Sequence, residues 1–115
     1  MLEKRRRLTK HGSFQYMYKN GKKINSANLY IVYLQTKAKL NKFGFVVSNK
    51  VGKANKRNLI KRRLRAIIRE NLPHISKAND YIIVAKEHIC DISYLELKSE
   101  VLTLLKKGGF LIENN

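Results

Sequence analysis

Nine basic side chains crowd the stretch from residue 50 to 69: Lys50, Lys53, Lys56, Arg57, Lys61, Arg62, Arg63, Arg65 and Arg69, with no Asp or Glu among them. Arginine dominates from Arg57 onward, and its planar fork matches phosphate oxygens two at a time. No acid stands four residues away to pair with these charges, so they repel one another until an outside anion neutralises them. The chemistry open to such a set is ionic recognition of a polyanion. Asn58 sits beside them as a neutral hydrogen-bonding group. Gly52, just ahead, offers flexible backbone and free N–H groups that could also receive a phosphate.

Groupings that break bonds are missing. His11, His74 and His88 are scattered, with no fixed carboxylate in the local sequence. Neither a G-x-G-x-x-G nor a G-x-x-x-x-G-K-[S/T] loop occurs. A protein that holds Mg²⁺ for hydrolysis gathers several carboxylates, yet no acid lies between Glu3 and Glu70. No catalytic residue and no metal site are therefore expected on the polypeptide. Cys90 has no second Cys or His at ligand spacing and reads as a buried thiol; a lone cysteine suits a reducing cytosol.

The 115 residues carry 25 Lys and Arg against 8 Asp and Glu, a net charge of +17. Charge of that size costs stability through self-repulsion and points to a permanent polyanionic partner. The length fits a single domain, residues 1–115, with one modest core. No apolar run approaches a membrane span. The basic start MLEKRRRLTKHG lacks the apolar segment of a signal peptide. A cytoplasmic protein away from membranes is expected.

The charges need a scaffold, and Ile60, Leu64, Ile67 and Ile68 supply it. Their i, i+4, i+7, i+8 spacing makes one apolar stripe on a helix running from about Ala54 or Asn55 to Leu72, where Pro73 stops it. Residues 1–12 read as a basic arm, irregular at first. Ser13 is expected to cap a short helix ending near Lys19–Asn20, with Gly21 as its left-handed terminator. Phe14, Met17 and Tyr18 share one face of that helix, as core or as a platform for unpaired bases. Ile24 to Gln35 is strand-like, with a break around Asn25–Asn28. Leu29, Ile31 and Tyr33 fall on one face and Tyr30, Val32 and Leu34 on the other. Both faces are apolar, so either both are covered or one meets a partner.

Phe43 to Ser48 forms another strand, and the unbroken run Tyr81 to Ala85 a central one. Ser93 and Glu96 make a capping box, with Ile92 and Leu97 as its staple. Leu95, Val101, Leu102, Leu104 and Leu105 supply the buried stripe of the last helix, which Gly108 and Gly109 end. The order is α-β-β-β-α-β-α: an α+β sandwich with a mixed sheet of about four strands and helices packed on it, as in many ribosomal proteins.

The run VSNKVGKANKRNLIKRRLR, Val47 to Arg65, resembles the signature of the bacterial ribonuclease P protein family. That signature reads Val-Ser-x-Lys-x-Gly-x-Ala, then Arg-Asn-x-x-Lys-Arg-x-x-Arg on one helix. Phe14, Tyr18 and Gly21, and the strand Tyr30 to Tyr33, fall where the family has its own aromatics. The pattern departs at Leu59, where the family has a further basic residue, and at Asn49 and Asn55. The resemblance implies that a partner RNA is the catalyst, with Mg²⁺ bound mainly by that RNA, hydrolysing precursor tRNA to release its 5′ leader. It implies that Lys50, Lys53, Lys56, Arg57, Asn58, Lys61, Arg62, Arg65 and Arg69 meet the catalytic RNA. The leader would lie in a cleft between the first helix and the sheet, against Phe14, Tyr18 and Tyr33. A left-handed crossover through the basic helix is implied too, an exception to a strong rule. The alternative is a ribosomal-type RNA-binding protein, which composition and fold class do not separate. A stand-alone nuclease is disfavoured by the missing acids, and a helix-turn-helix by the strands around the basic helix.

Overall fold

The computed structural model describes residues 6–8, 11–38 and 40–112. Two long strands, β2 (Leu29–Gln35) and β4 (Asn79–Ala85), pair antiparallel at the centre of the sheet, where apolar side chains on both faces demand cover on both sides. A short strand, β1 (Lys22–Asn25), pairs antiparallel with the outer edge of β2. On the other side β3 (Phe43–Val47) runs parallel to β4, giving the order β1-β2-β4-β3. A parallel pair needs a crossover, and the helix α2 (Ala54–Asn71) provides it. A first helix, α1 (His11–Asn20), precedes the sheet, and α3 (Tyr94–Lys107) follows it. The order α-β-β-β-α-β-α and the mixed four-stranded sheet are those read from the sequence.

Strand alternation sorts the sheet into two faces. Leu29, Ile31, Phe43, Val47, Tyr81, Ile83 and Ala85 meet α2 and α3 in the main core. Val32 and Ile82 face the other way, under Met17 of α1. The α2 stripe of Ile60, Leu64, Ile67 and Ile68 is buried. At about 1.5–3 kcal/mol for each side chain removed from water, this seam is worth far more than the mutual repulsion it must overcome. Like charges one turn apart cost only about 0.2–0.5 kcal/mol per pair. The seam wins.

Both ends of α3 are closed by side-chain and backbone bonds. Ser93 Oγ accepts from the Glu96 N–H at 3.2 Å, and Glu96 Oε1 accepts from the Ser93 N–H at 3.2 Å. At the far end the Phe110 N–H reaches Leu105 O and the Gly109 N–H reaches Lys106 O, with Gly109 at φ +78°. This is the Schellman arrangement, and Phe110 buries itself as it forms.

Four expectations change. Helix α1 begins at His11, so Ser13 lies inside it and is not its cap. Gly21 is not left-handed. It is required because a Cβ there would lie 2.6 Å from Met17 O and 2.8 Å from Tyr33 O, where the end of α1 runs against β2. Leu95 is 74% exposed, because the buried register of α3 starts at Leu97 and continues through Val101, Leu104 and Leu105. The N-terminal arm, read as irregular at first, has a docked segment among its described residues. Its residues 6–8 lie along β3, with the Leu8 N–H donating to Phe43 O at 2.8 Å and Arg7 bridged to Phe43. Arg6 donates to the buried Asn41 Oδ1 at 2.6 Å, and Asn41 in turn donates to Ser76 O. The rest of the arm up to residue 10 lies outside the described residues.

Candidate nucleic-acid interface

The outward side of α2 is built by what its inward side requires. With four apolar residues turned to the sheet, Lys53, Lys56, Asn58, Arg62 and Arg69 are exposed, and Arg57, Lys61, Arg63 and Arg65 lie half-buried along the flanks. Lys50 is exposed on the single 3₁₀ turn Asn49–Val51 that leads in. A groove of about 1070 Å³ follows this face, lined by Asn58, Lys61, Arg62, Arg65 and Arg69 among others. All nine positions read from the sequence as RNA-facing thus share one helix and its lead-in.

Among the described residues, no carboxylate pairs with these guanidinium groups. The ion pairs there are Lys98–Glu70 and His88–Asp91. Arg65 is the most constrained of the set. Its guanidinium lies 5.8 Å from the Phe45 ring centroid, and its Nε is buried without an acceptor. Burial, and then the nearby Arg7, pull its pKa below the usual arginine value. Arg57 differs, since its Nε donates to Gly52 O at 3.1 Å and fastens the loop. Gly52 adopts φ +151°, a region that glycine alone enters readily. The α2 N-terminus has no side-chain cap and no acid in its first turn. Its leading N–H groups and dipole therefore favour an anion.

On the opposite face of the sheet, α1 covers only part of the apolar surface. The Phe14 ring lies on Gly44, whose hypothetical Cβ would fall 2.6 Å from it, so Phe14 is packed as much as presented. Tyr18 remains 46% exposed beside Tyr30, and Lys23 Nζ sits 4.4 Å from the Tyr30 ring centroid. Burial, with Tyr30 near it, raises the Tyr18 hydroxyl pKa. Tyr33 does not join this group. It points to the α2 and α3 side, edge-on to Phe110 at 4.6 Å. The ring that takes the expected place beside Tyr18 is Tyr30, whose alternation with Tyr33 was already visible in the sequence. Which face α1 would cover was not.

Two contributors escaped the sequence reading. Phe45 lies under Arg65, and Arg7 approaches it from the docked N-terminal segment. Both meetings join residues distant in sequence, so no local spacing reveals them. Among the described residues no three His, Cys, Asp or Glu side chains gather as metal ligands.

Comparison with known proteins identifies the family and agrees with the fold. A family model described as Ribonuclease P matches residues 2–109. The ribonuclease P protein component of Syntrophomonas wolfei is 32% identical over 99% of this chain and 96% of its own length. That of Fusobacterium nucleatum is 39% identical over 90% of this chain and 97% of its own. Among solved structures, the Staphylococcus aureus RNase P protein superposes with a TM-score of 0.87 at 28% identity, covering 92% of this chain and 97% of that one. The Thermotoga maritima RNase P protein gives 0.81 at 27% identity, covering 94% and 98%. The basic helix, the sheet behind it and these matches together place the chain in the ribonuclease P protein component family, the protein subunits of an RNA-based, tRNA-processing enzyme.

Proposed function

We propose that α2 and its lead-in turn bind the catalytic RNA of ribonuclease P, while the Tyr18–Tyr30 side of α1 and the sheet grips the single-stranded 5′ leader of precursor tRNA. The observation that carries the first half is the row of guanidinium groups on α2 with no carboxylate partner among the described residues. An exposed tyrosine beside a lysine-capped ring supports the second. Unpaired leader exposes its base faces, and stacking on aromatic rings is worth about 1–3 kcal/mol per base with little sequence preference.

The physical role follows from charge. Catalytic RNA and substrate are both polyanions, and a protein of net charge +17 between them lowers their repulsion. Mg²⁺ is held mainly by the RNA and supplies the hydrolytic chemistry there. The polypeptide binds, orients and screens. The same reading places it in the cytoplasm with the precursor pool; among the described residues no helix is long and apolar enough to cross a membrane.

Replacing Arg57 and Arg65 together by Ala is expected to weaken catalytic-RNA binding and to flatten its salt dependence. The slope of log affinity against log salt should fall by about 0.9 for each duplex phosphate that is no longer neutralised. Filter binding across a salt series measures this. An unchanged affinity and slope in a variant that keeps its helical circular dichroism would overturn the α2 assignment.

A further inference from the structure

Asn20 closes α1 and is followed by Gly21, the one Asn-Gly pair in the chain. An Asn carboxamide is a latent electrophile, because the backbone nitrogen of the next residue can attack its Cγ. A Cβ on that next residue hinders the approach. Glycine sets no such hindrance and reaches the backbone angles that ring closure needs.

The surroundings favour the reaction in two further ways. Asn20 is exposed, so its carboxamide meets water. Lys19, Lys22 and Lys23 are exposed around it in the chain, and no acid lies between Glu3 and Glu70. Nearby cations favour an anion, here the deprotonated Gly21 amide through which the attack runs.

The helix holds the reaction back. The Gly21 N–H donates to Met17 O at 2.7 Å, and Asn20 Nδ2 donates to Tyr16 O at 3.0 Å. The first bond occupies the proton that must leave, and the second fixes the amide that must turn. Both belong to the last turn of α1, and helix ends open at the lowest cost. Gly21 cannot be exchanged for a slower residue, since a Cβ there would lie 2.6 Å from Met17 O and 2.8 Å from Tyr33 O. The close approach of α1 to β2 thus keeps a reactive pair in the chain.

We propose that Asn20 is a site of spontaneous deamidation, gated by opening of the last turn of α1. Hydroxide removes the Gly21 amide proton, and the nitrogen attacks Asn20 Cγ. The Cγ–Nδ2 bond breaks, and ammonia leaves as a succinimide closes. Water then opens the ring at either carbonyl, giving Asp or the isoaspartyl form whose main chain runs through the side-chain carbon. In sum the amide and water become a carboxylate and ammonium, with no oxidant or reductant. Either product puts a negative charge at the negative end of the α1 dipole, and the isoaspartyl form adds a methylene where the packing at Gly21 has no room. The modification therefore loosens the junction of α1 with the sheet.

The test incubates the full-length protein at mildly alkaline pH, folded and in concentrated urea. Peptide mass spectrometry assigns the deamidated positions, and isoaspartyl methyltransferase labelling counts the iso form. Asn20 should lead every other Asn in the folded protein, and should react at least roughly tenfold faster in urea, the ratio reporting how rarely the last turn opens. Asn20→Gln should remove most of the folded protein's label while keeping its circular dichroism. Asn20→Asp should melt about 1–4 °C lower than the unaltered protein. If another Asn leads, or the Asn20→Gln variant labels as strongly as the unaltered protein, the site is wrong. Equal Asn20 rates in the folded protein and in urea overturn the gate, and an unchanged melt of Asn20→Asp overturns the loosening.

Discussion

Single residues in this chain are constrained in opposite senses by what lies next to them, and the two glycines of α1's ends show it. Gly12 sits in the first turn of α1 with nothing within 4 Å of where a Cβ would stand, whereas at Gly21 that atom would meet two backbone carbonyl oxygens. Carbonyls of an ordered helix end and a central strand cannot step aside as a side-chain tip can. Gly12→Ala should therefore stabilise by about 0.5–1 kcal/mol, the helix preference of Ala over Gly. Gly21→Ala should cost about 1–3 kcal/mol through overpacking. Urea midpoints shifting in opposite directions would confirm it, and a neutral Gly21→Ala would refute the close approach. The same logic separates Arg65 from Arg57. One guanidinium has a buried Nε without an acceptor; the other uses its Nε to fasten the Gly52 loop.

Among the elements, the helices were legible to the extent that their periodicity was unambiguous. The stripe of Ile60, Leu64, Ile67 and Ile68 has one solution, and all four are buried. The capping box at Ser93 is a local signal and formed as local signals do. In α3 Leu95 stands two residues before Leu97, about 200° around the helix from the buried series Leu97, Val101, Leu104 and Leu105. The core chose Leu97. Leu97→Ala should accordingly cost about 2–5 kcal/mol by leaving a cavity, while Leu95→Gln should stay within about 0.5 kcal/mol, as at other surface positions. Thermal melts of the pair check this, and a costly Leu95→Gln would mean the exposed side chain is in use. The α1 cap and the place of Tyr33 were not legible. The first depended on residues before Ser13, the second on which sheet face α1 would cover, and neither is written in a local spacing.

For the whole molecule the governing quantity is its surplus of positive charge, which makes each structural carboxylate valuable. Glu100 on α3 holds the turn between β1 and β2. It accepts from Ser26 Oγ at 2.6 Å and from the Asn28 N–H and Nδ2, both at 2.9 Å. Burial alone would raise its pKa, but these bonds, with Lys86 nearby, outweigh that and hold it below the ordinary value of 4.5. A depressed folded-state pKa means stability that is fully present above the unfolded value and lost as pH falls through the folded one. Glu100→Gln should thus destabilise by about 1–3 kcal/mol at neutral pH and lose less than the unaltered protein on acidification below about pH 4.5. Parallel acid-unfolding curves for the two would count against this. The docked residues 7 and 8 have a last consequence, for solubility. They cover the Phe43 end of β3's outer edge, and on the opposite edge of the sheet β1 carries exposed Lys22 and Lys23. Bare strand edges are where separate copies stick together, and lysines at an edge discourage it. At high concentration the two outer rails of the sheet thus discourage a second copy from extending them, one by partial cover and the other by charge.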